Sequence, residues 1–193
     1  VTINITRAQA VEGWMGSREL EWLASTATEC QTIVEIGCWL GRATRVLGDH
    51  CPGLVYSVDP WDGDYYNNDG TVAQWLLRRG RTWDDVFREF TANVEDLIAA
   101  ERVRPIRATS VKAWSVLVDE LPPGRGVDLV FVDGDHRREA VAHDIAIYRE
   151  LVRAGGILAG HDYGRRDWPG VQAAVDEAFP NVNLMGTIWW TRL

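Results

Sequence analysis

Val34-Glu-Ile-Gly-Cys-Trp-Leu-Gly-Arg-Ala-Thr44 is the stretch on which the fold turns. It opens inside an apolar, β-branched run, Thr32 to Ile36, of the length of a buried strand. Gly37 and Gly41 then lead into a helix running from Gly41 to Asp49. Glycine lets the backbone turn sharply and come close to a ligand. A strand, a glycine turn and a helix make the opening unit of an α/β sheet.

The alternation continues outward in both directions. Upstream, Ser17 is the expected N-cap of a helix over about 18–28, with Leu20, Leu23, Ala24 and Ala27 on one face. Downstream, Leu54 to Val58 reads as a strand ending at Asp59. Residues 60–81, with Trp61, Tyr65 and Tyr66, are the least regular stretch and read as an acceptor or lid loop. Thr82 caps a long helix carrying Val86, Phe90, Val94 and Leu97. Arg104 to Ala108 is a third strand, followed by a short helix with Val111, Trp114 and Val118, broken by Pro122-Pro123-Gly124. Val127 to Val132 is a fourth strand, ending at Asp133. Val141, Ile145, Tyr148 and Val152 line the next helix, which Gly155-Gly156 should end. Ile157 to Ala159 is a fifth strand, running into His161-Asp162. After a helix with Val171, Val175 and Phe179, Val182 to Leu184 and Thr187 to Trp190 form a closing pair about Gly186. No repeat or linker interrupts the pattern, so 1–193 reads as a single α/β domain with a mostly parallel sheet, its residues 1–30 forming an N-terminal lid and helix.

Composition narrows the function classes. The 193 residues hold 20 Lys+Arg and 28 Asp+Glu, a net charge of −8, with 46% hydrophobic and 25% charged residues. That balance is globular rather than disordered. So acidic a chain is expected to bind neither nucleic acid nor an anionic membrane through bulk charge. No apolar run approaches the ~20 residues of a membrane span. Val1 to Ala10 has no apolar signal core, and the opening Val implies a start Met before it. Cys30, Cys38 and Cys51 are odd in number and lack C-x-x-C spacing, which argues against disulfides and structural zinc and for reduced, cytoplasmic thiols.

Ligands of open α/β sheets bind beyond the carboxyl ends of the strands, and the chemistry-bearing residues gather there. Glu35-x-Gly37-x-x-x-Gly41 lacks the G-x-G-x-x-G spacing of dinucleotide binders, which disfavours a nicotinamide dehydrogenase. Asp59 lies 22 residues beyond Gly37, where an acid suits the hydroxyls of a ribose. The bland reading is that the glycines only make a tight turn. Asp133-Gly-Asp135-His136 and His161-Asp162-Tyr163 end the fourth and fifth strands and could face each other across a cleft. Carboxylates and imidazole are metal ligands, and Asp135 or His136 could act as a general base. Alternatively, Asp135 and His136 cap the next helix and His161 is a hydrogen-bonded pocket residue. Trp39, Trp61, Tyr65 and Tyr66 flank the same edge and could stack on adenine or an acceptor ring.

The segment from Val34 to Thr44 resembles motif I of class I S-adenosylmethionine-dependent methyltransferases. Val127-Asp-Leu-Val-Phe-Val-Asp-Gly-Asp-His136 and Gly155-Gly-Ile-Leu-Ala-Gly-His-Asp-Tyr163 resemble a small O-methyltransferase-like branch. Macrocin O-methyltransferase, cephalosporin-hydroxylase-like proteins and, more distantly, catechol O-methyltransferase are related to it. The resemblance implies a Rossmann-like, doubly wound, seven-stranded, mostly parallel sheet with the last strand antiparallel. It implies that Glu35, Gly37 and Gly41 wrap the methionine and ribose parts of S-adenosyl-L-methionine, that Asp59 holds the ribose, and that Trp61, Thr109 and Ser110 lie by the adenine. It implies a divalent metal, Mg²⁺ or Mn²⁺, on Asp133, His161 and Asp162. His161 departs from the carboxyl or amide ligand usual there and shifts preference from Mg²⁺ toward softer ions. The implied activity is methyl transfer to a hydroxyl of a small molecule, such as a sugar or natural-product glycoside, with Asp135 or His136 taking the proton. The resemblance, whose members often carry a longer N-terminal part, implies an acceptor pocket that is open here or completed by another subunit of a homo-oligomer. A non-catalytic S-adenosylmethionine- or nucleoside-binding domain and a metal-dependent hydrolase built on the Asp/His cluster are the alternatives.

Overall fold

The computed structural model describes residues 2–62, 75–76, 78–121 and 124–193. Most of the expected 60–81 loop, with Tyr65 and Tyr66, and the Pro122-Pro123 break lie outside the described residues. In chain order the elements are α1 (Thr6–Ala10), α2 (Ser17–Ala27), β1 (Thr32–Ile36), α3 (Arg42–His50), β2 (Leu54–Asp59), α4 (Trp83–Asn93), α5 (Glu95–Ala99), β3 (Val103–Arg107), α6 (Ser110–Glu120), β4 (Val127–Val132), α7 (Arg138–Tyr148), β5 (Val152–Gly160), α8 (Pro169–Ala178), β6 (Asn183–Met185) and β7 (Ile188–Arg192). They build one seven-stranded sheet in the order β3-β2-β1-β4-β5-β7-β6. β1 to β5 pair in parallel, and β7 pairs antiparallel with both β5 and β6. This is the doubly wound sheet expected from the sequence, with its order reversing between β1 and β4.

Strand alternation sorts the core into two layers. Ile33, Val55, Leu129, Phe131, Ile157 and Ala159 face α1 to α5, together with Leu20, Leu47, Phe90 and Leu97. Val34, Ile36, Val58, Val130, Val132 and Leu158 face α6 to α8, with Leu117, Ile145, Tyr148 and Val175. Each Val, Leu, Ile or Phe among them contributes about 1.5–3 kcal/mol when taken fully from water. No helix among the described residues is long and apolar enough to cross a membrane.

Three local expectations need correction. Gly16, not Ser17, is the N-cap of α2, and its amide donates to Glu19 Oε2 (2.9 Å). The helix after Thr82 divides at Val94, whose φ of −126° is not helical. Gly155-Gly156 does not end a helix: α7 stops at Tyr148, and the two glycines lie inside β5. There the β4–β5 register slips between Val127 and Leu129, and Gly155 takes the left-handed φ of 74° that such a bulge needs. A helical spacing that ran on through Val152 concealed the change of element.

Candidate functional site

The turn after β1 is built around two close approaches. Gly37 has φ 85°, and a Cβ there would stand 2.1 Å from the carbonyl oxygen of Asp133, so only glycine lets the ends of β1 and β4 abut. Trp39 is itself left-handed (φ 51°), which aims its amide and that of Cys38 inward. Both donate to Asp59 Oδ2, at 3.0 and 2.9 Å, and the Trp61 amide donates to Asp59 Oδ1 at 2.8 Å. Asp59 is fully buried. It therefore clamps the turn, and does not present the open carboxylate expected for a ribose.

The remaining residues of this half are also turned inward. The Trp61 ring is buried against Phe87 and Phe90 (4.9 and 4.6 Å) and its Nε1 donates to the Trp39 carbonyl (2.9 Å), so it is core and not an adenine platform. Glu35 is buried beneath the turn, accepting from the hydroxyls of Thr44 (2.6 Å) and Ser57 (3.3 Å). Burial pushes its carboxyl up to about 8 against those bonds, so at neutral pH it is largely protonated. Gly41 serves α3 as its N-cap, against Phe90. Thr109 caps α6, and the Ser110 carbonyl accepts from the Tyr148 hydroxyl (2.8 Å). None of Glu35, Gly41, Asp59, Trp61, Thr109 and Ser110 lines the cleft described next.

A cleft of about 660 Å³ opens over the carboxyl ends of β1, β4 and β5, within the roughly 300–1,000 Å³ of small-molecule sites. Gly37, Cys38 and Trp39 line it after β1, Asp133 to His136 after β4, and His161 and Asp162 after β5. Gly13 to Met15 and Trp168 to Gly170 complete the rim. The structure thus gathers Gly37, Trp39, Asp133, Asp135, His136, His161 and Asp162 at one place.

Their roles divide by hydrogen bonding. His136 Nε2 lies 3.0 Å from Asp162 Oδ2, and its ring stacks on Trp168 (4.4 Å, 23°). Burial alone would raise the Asp162 carboxyl, but hydrogen bonds from His136 and His161 hold it well below the usual carboxylate range. Asp162 sits in the left-handed region (φ 63°), a strained backbone of the kind that collects at functional sites. Asp135, one of the two expected bases, is gripped by Arg137: its Oδ1 accepts from the backbone amide (2.9 Å) and its Oδ2 from Nε (2.8 Å). Both of its carboxylate oxygens are thus engaged by Arg137.

His161 stands between the cleft acids and helix α2. Its Nε2 meets Thr187 Oγ1 (2.9 Å) and Glu19 Oε1 (3.4 Å), while Nδ1 faces Asp162 Oδ1 (3.4 Å) and Asp133 Oδ1 (3.6 Å). Burial alone would lower this imidazole, but Asp133, Asp162 and Glu19 outweigh it and raise it to about 12. Among the described residues, Asp133, His136 and Asp162 form a group whose ligand atoms all lie within 4.8 Å of one another.

Sequence reasoning missed three residues. Glu19 accepts from the amide (2.9 Å) and hydroxyl (2.8 Å) of Thr187, and is held at about 2 because bonds from His161, Thr187 and Gly16 override its burial. Its place three residues after the cap is a capping-box signal, but its second bond spans 168 residues. Arg42 donates to three carbonyls, of Val11 (2.7 Å), Met15 (2.8 Å) and Gln9 (3.2 Å), and so straps the N-terminal segment along the cleft. Trp168 carried no local signal.

A family model described as a methyltransferase domain matches residues 34–163. The uncharacterized protein R132 of Acanthamoeba polyphaga mimivirus is 34% identical over 67 residues, which are 34% of this chain and 29% of the viral protein. The match therefore spans under a third of that relative's length. The structure of an O-methyltransferase from Bacillus cereus in complex with SAH superposes with a TM-score of 0.66 at 15% identity, covering 96% of this chain and 86% of that one. CalS11, a TDP-rhamnose 3'-O-methyltransferase of calicheamicin biosynthesis, gives 0.61 at 14% identity over 90% and 76% of the two chains. At such identities the likeness is one of fold.

Proposed function

We propose that the chain, which belongs to the methyltransferase-domain family, uses S-adenosylmethionine to methylate a hydroxyl of a small molecule. The observation that carries this reading is the His136–Asp162 pair, 3.0 Å apart, in a cleft shared with the glycine turn after β1. S-adenosylmethionine, when bound, supplies a methyl group on a positively charged sulfur that is already an activated leaving group. The residues fit it: the turn at Gly37 brings bare backbone to the cleft.

The protein's remaining work is alignment and proton management. His136 accepts the acceptor's proton. Asp162 holds the imidazole in place through Nε2, which leaves Nδ1 for the proton, and Trp168 fixes the ring plane. A positioned base of this kind is worth about 10²–10⁴-fold in rate. One observation favours a second reading of the same site, the 4.8 Å grouping of Asp133, His136 and Asp162. These three would hold a divalent ion, with Mn²⁺ suiting the imidazole better than Mg²⁺, and it would acidify the acceptor hydroxyl. We place the enzyme in the cytoplasm, in keeping with Cys30, Cys38 and Cys51 buried as free thiols.

Mass detection of methylated products from a panel of hydroxylated compounds tests the function, run in chelator and with added Mn²⁺. Transfer in chelator that His136→Gln abolishes supports the base. Transfer only with Mn²⁺ supports the second reading. Methylation confined to amines or thiols would overturn the O-methyl assignment.

A further inference from the structure

Aromatic side chains hold the rim of the cleft. Trp14 stands on the segment strapped by Arg42 and is 60% exposed, with its ring 5.7 Å from that of Trp39. Trp39 is braced in turn by Trp75 (5.0 Å) and Trp83 (6.1 Å), both edge-on. Trp168 comes from the chain after β5 and lies flat on His136. Trp14, Trp39 and Trp168 line the same cleft as Asp133 and His136.

The polar side chains of the cleft are largely committed to one another. Arg137 holds Asp135, Arg165 meets Asp167 (3.3 Å) and Asp162 (3.6 Å), and Arg42 is spent on backbone carbonyls. A polyol entering here would bury hydroxyls beside groups already paired, which is costly. A flat apolar ring would instead cover Trp14, whose rigid backing leaves little freedom to lose on stacking.

Resting on the methyltransferase reading above, we infer that the acceptor is a phenol, its aromatic ring seated against Trp14 and Trp168 and its hydroxyl directed at His136. The acidity of such a hydroxyl agrees with this. A phenolic proton leaves near pH ~10, within reach of a side-chain base, whereas an aliphatic alcohol lies nearer the ~15.7 of water. In the transfer the phenol oxygen forms a bond to the methyl carbon as the methyl–sulfur bond breaks. The sulfur keeps that electron pair and becomes a neutral thioether, and the phenol's proton passes to His136.

The test uses the full chain saturated with S-adenosylhomocysteine, with 2-naphthol and methyl glucoside as neutral probes in ligand-observed NMR titrations. 2-Naphthol should bind and methyl glucoside should not. Trp14→Ala and Trp168→Ala should each weaken naphthol binding by about 5- to 10-fold, the range of an aromatic pair. Trp14→Phe should retain most of the affinity. Binding of glucoside but not naphthol would overturn the inference, as would naphthol affinity unchanged in both alanine variants. S-adenosylhomocysteine binding in the same samples separates the failures. If it binds and naphthol does not, only the phenol assignment falls; if it does not bind, the methyltransferase reading falls first.

Discussion

At the ends of β1 and β2, Glu35 and Asp59 are fully buried and bonded to the protein's own framework. At the ends of β4 and β5, Asp133, His136 and Asp162 face the cleft. Both regions present acids at strand ends, and the sequence alone makes them look alike. The difference comes from local amide supply. The left-handed Trp39 turns two amides toward Asp59, which they capture. After β4 the comparable amide, of Arg137, is taken by Asp135, which leaves Asp133 and Asp162 facing the histidines. On the proposed function, the first region is framework beneath the glycine turn and the second is where protons move.

The largest effect that would break this division is at Asp59. Asp59→Ala leaves three amides, two of them buried, without their acceptor and should cost about 3–5 kcal/mol of unfolding free energy, read from urea denaturation. Asp135→Ala, which removes a partly exposed pair with Arg137, should cost under about 1 kcal/mol. Similar costs for the two would erase the contrast. Next comes His136→Gln, which should lower methyl transfer by about 100-fold or more while leaving S-adenosylhomocysteine affinity within about twofold.

Two pH effects sharpen the comparison. His161 titrates near 12 in the fold against ~6.5 in an unfolded chain. Its contribution is therefore complete below pH ~6.5 and falls as pH rises toward the folded value, by up to about 1.4 kcal/mol per pH unit. His161→Gln should be less stable at pH 6 and should lose that decline between pH 7 and 9. Glu35, raised to about 8 from ~4.3 unfolded, also binds its proton more tightly when folded. Its contribution is lost between those values, so Glu35→Gln should be near neutral at pH 4 and gain on the wild type by pH 8. A pH-independent offset in either variant would contradict the assigned protonation states.

The sheet was legible in the sequence because strand runs and glycine turns are local signals. Leu54–Val58, Val127–Val132 and the closing pair fall within a residue or two of the observed strands. The β5 bulge was not, because Gly155-Gly156 after an apolar helical spacing looks the same whether it ends a helix or kinks a strand. For the site, spacing placed Asp133, His136 and Asp162 at one sheet edge. It could not foretell that Asp59 would be consumed by the turn it follows, or that Glu19 and Thr187 would claim His161. Those outcomes depend on contacts between residues 20 to 168 positions apart.

The central claim is that cofactor binding and proton chemistry reside in different halves of the sheet edge. Calorimetric titration of S-adenosylhomocysteine into the wild type and Asp162→Asn tests it most directly. The account predicts micromolar binding to both, about −8 kcal/mol, with methyl transfer lost only in the variant. No binding to the wild type, or binding abolished by Asp162→Asn, would contradict it.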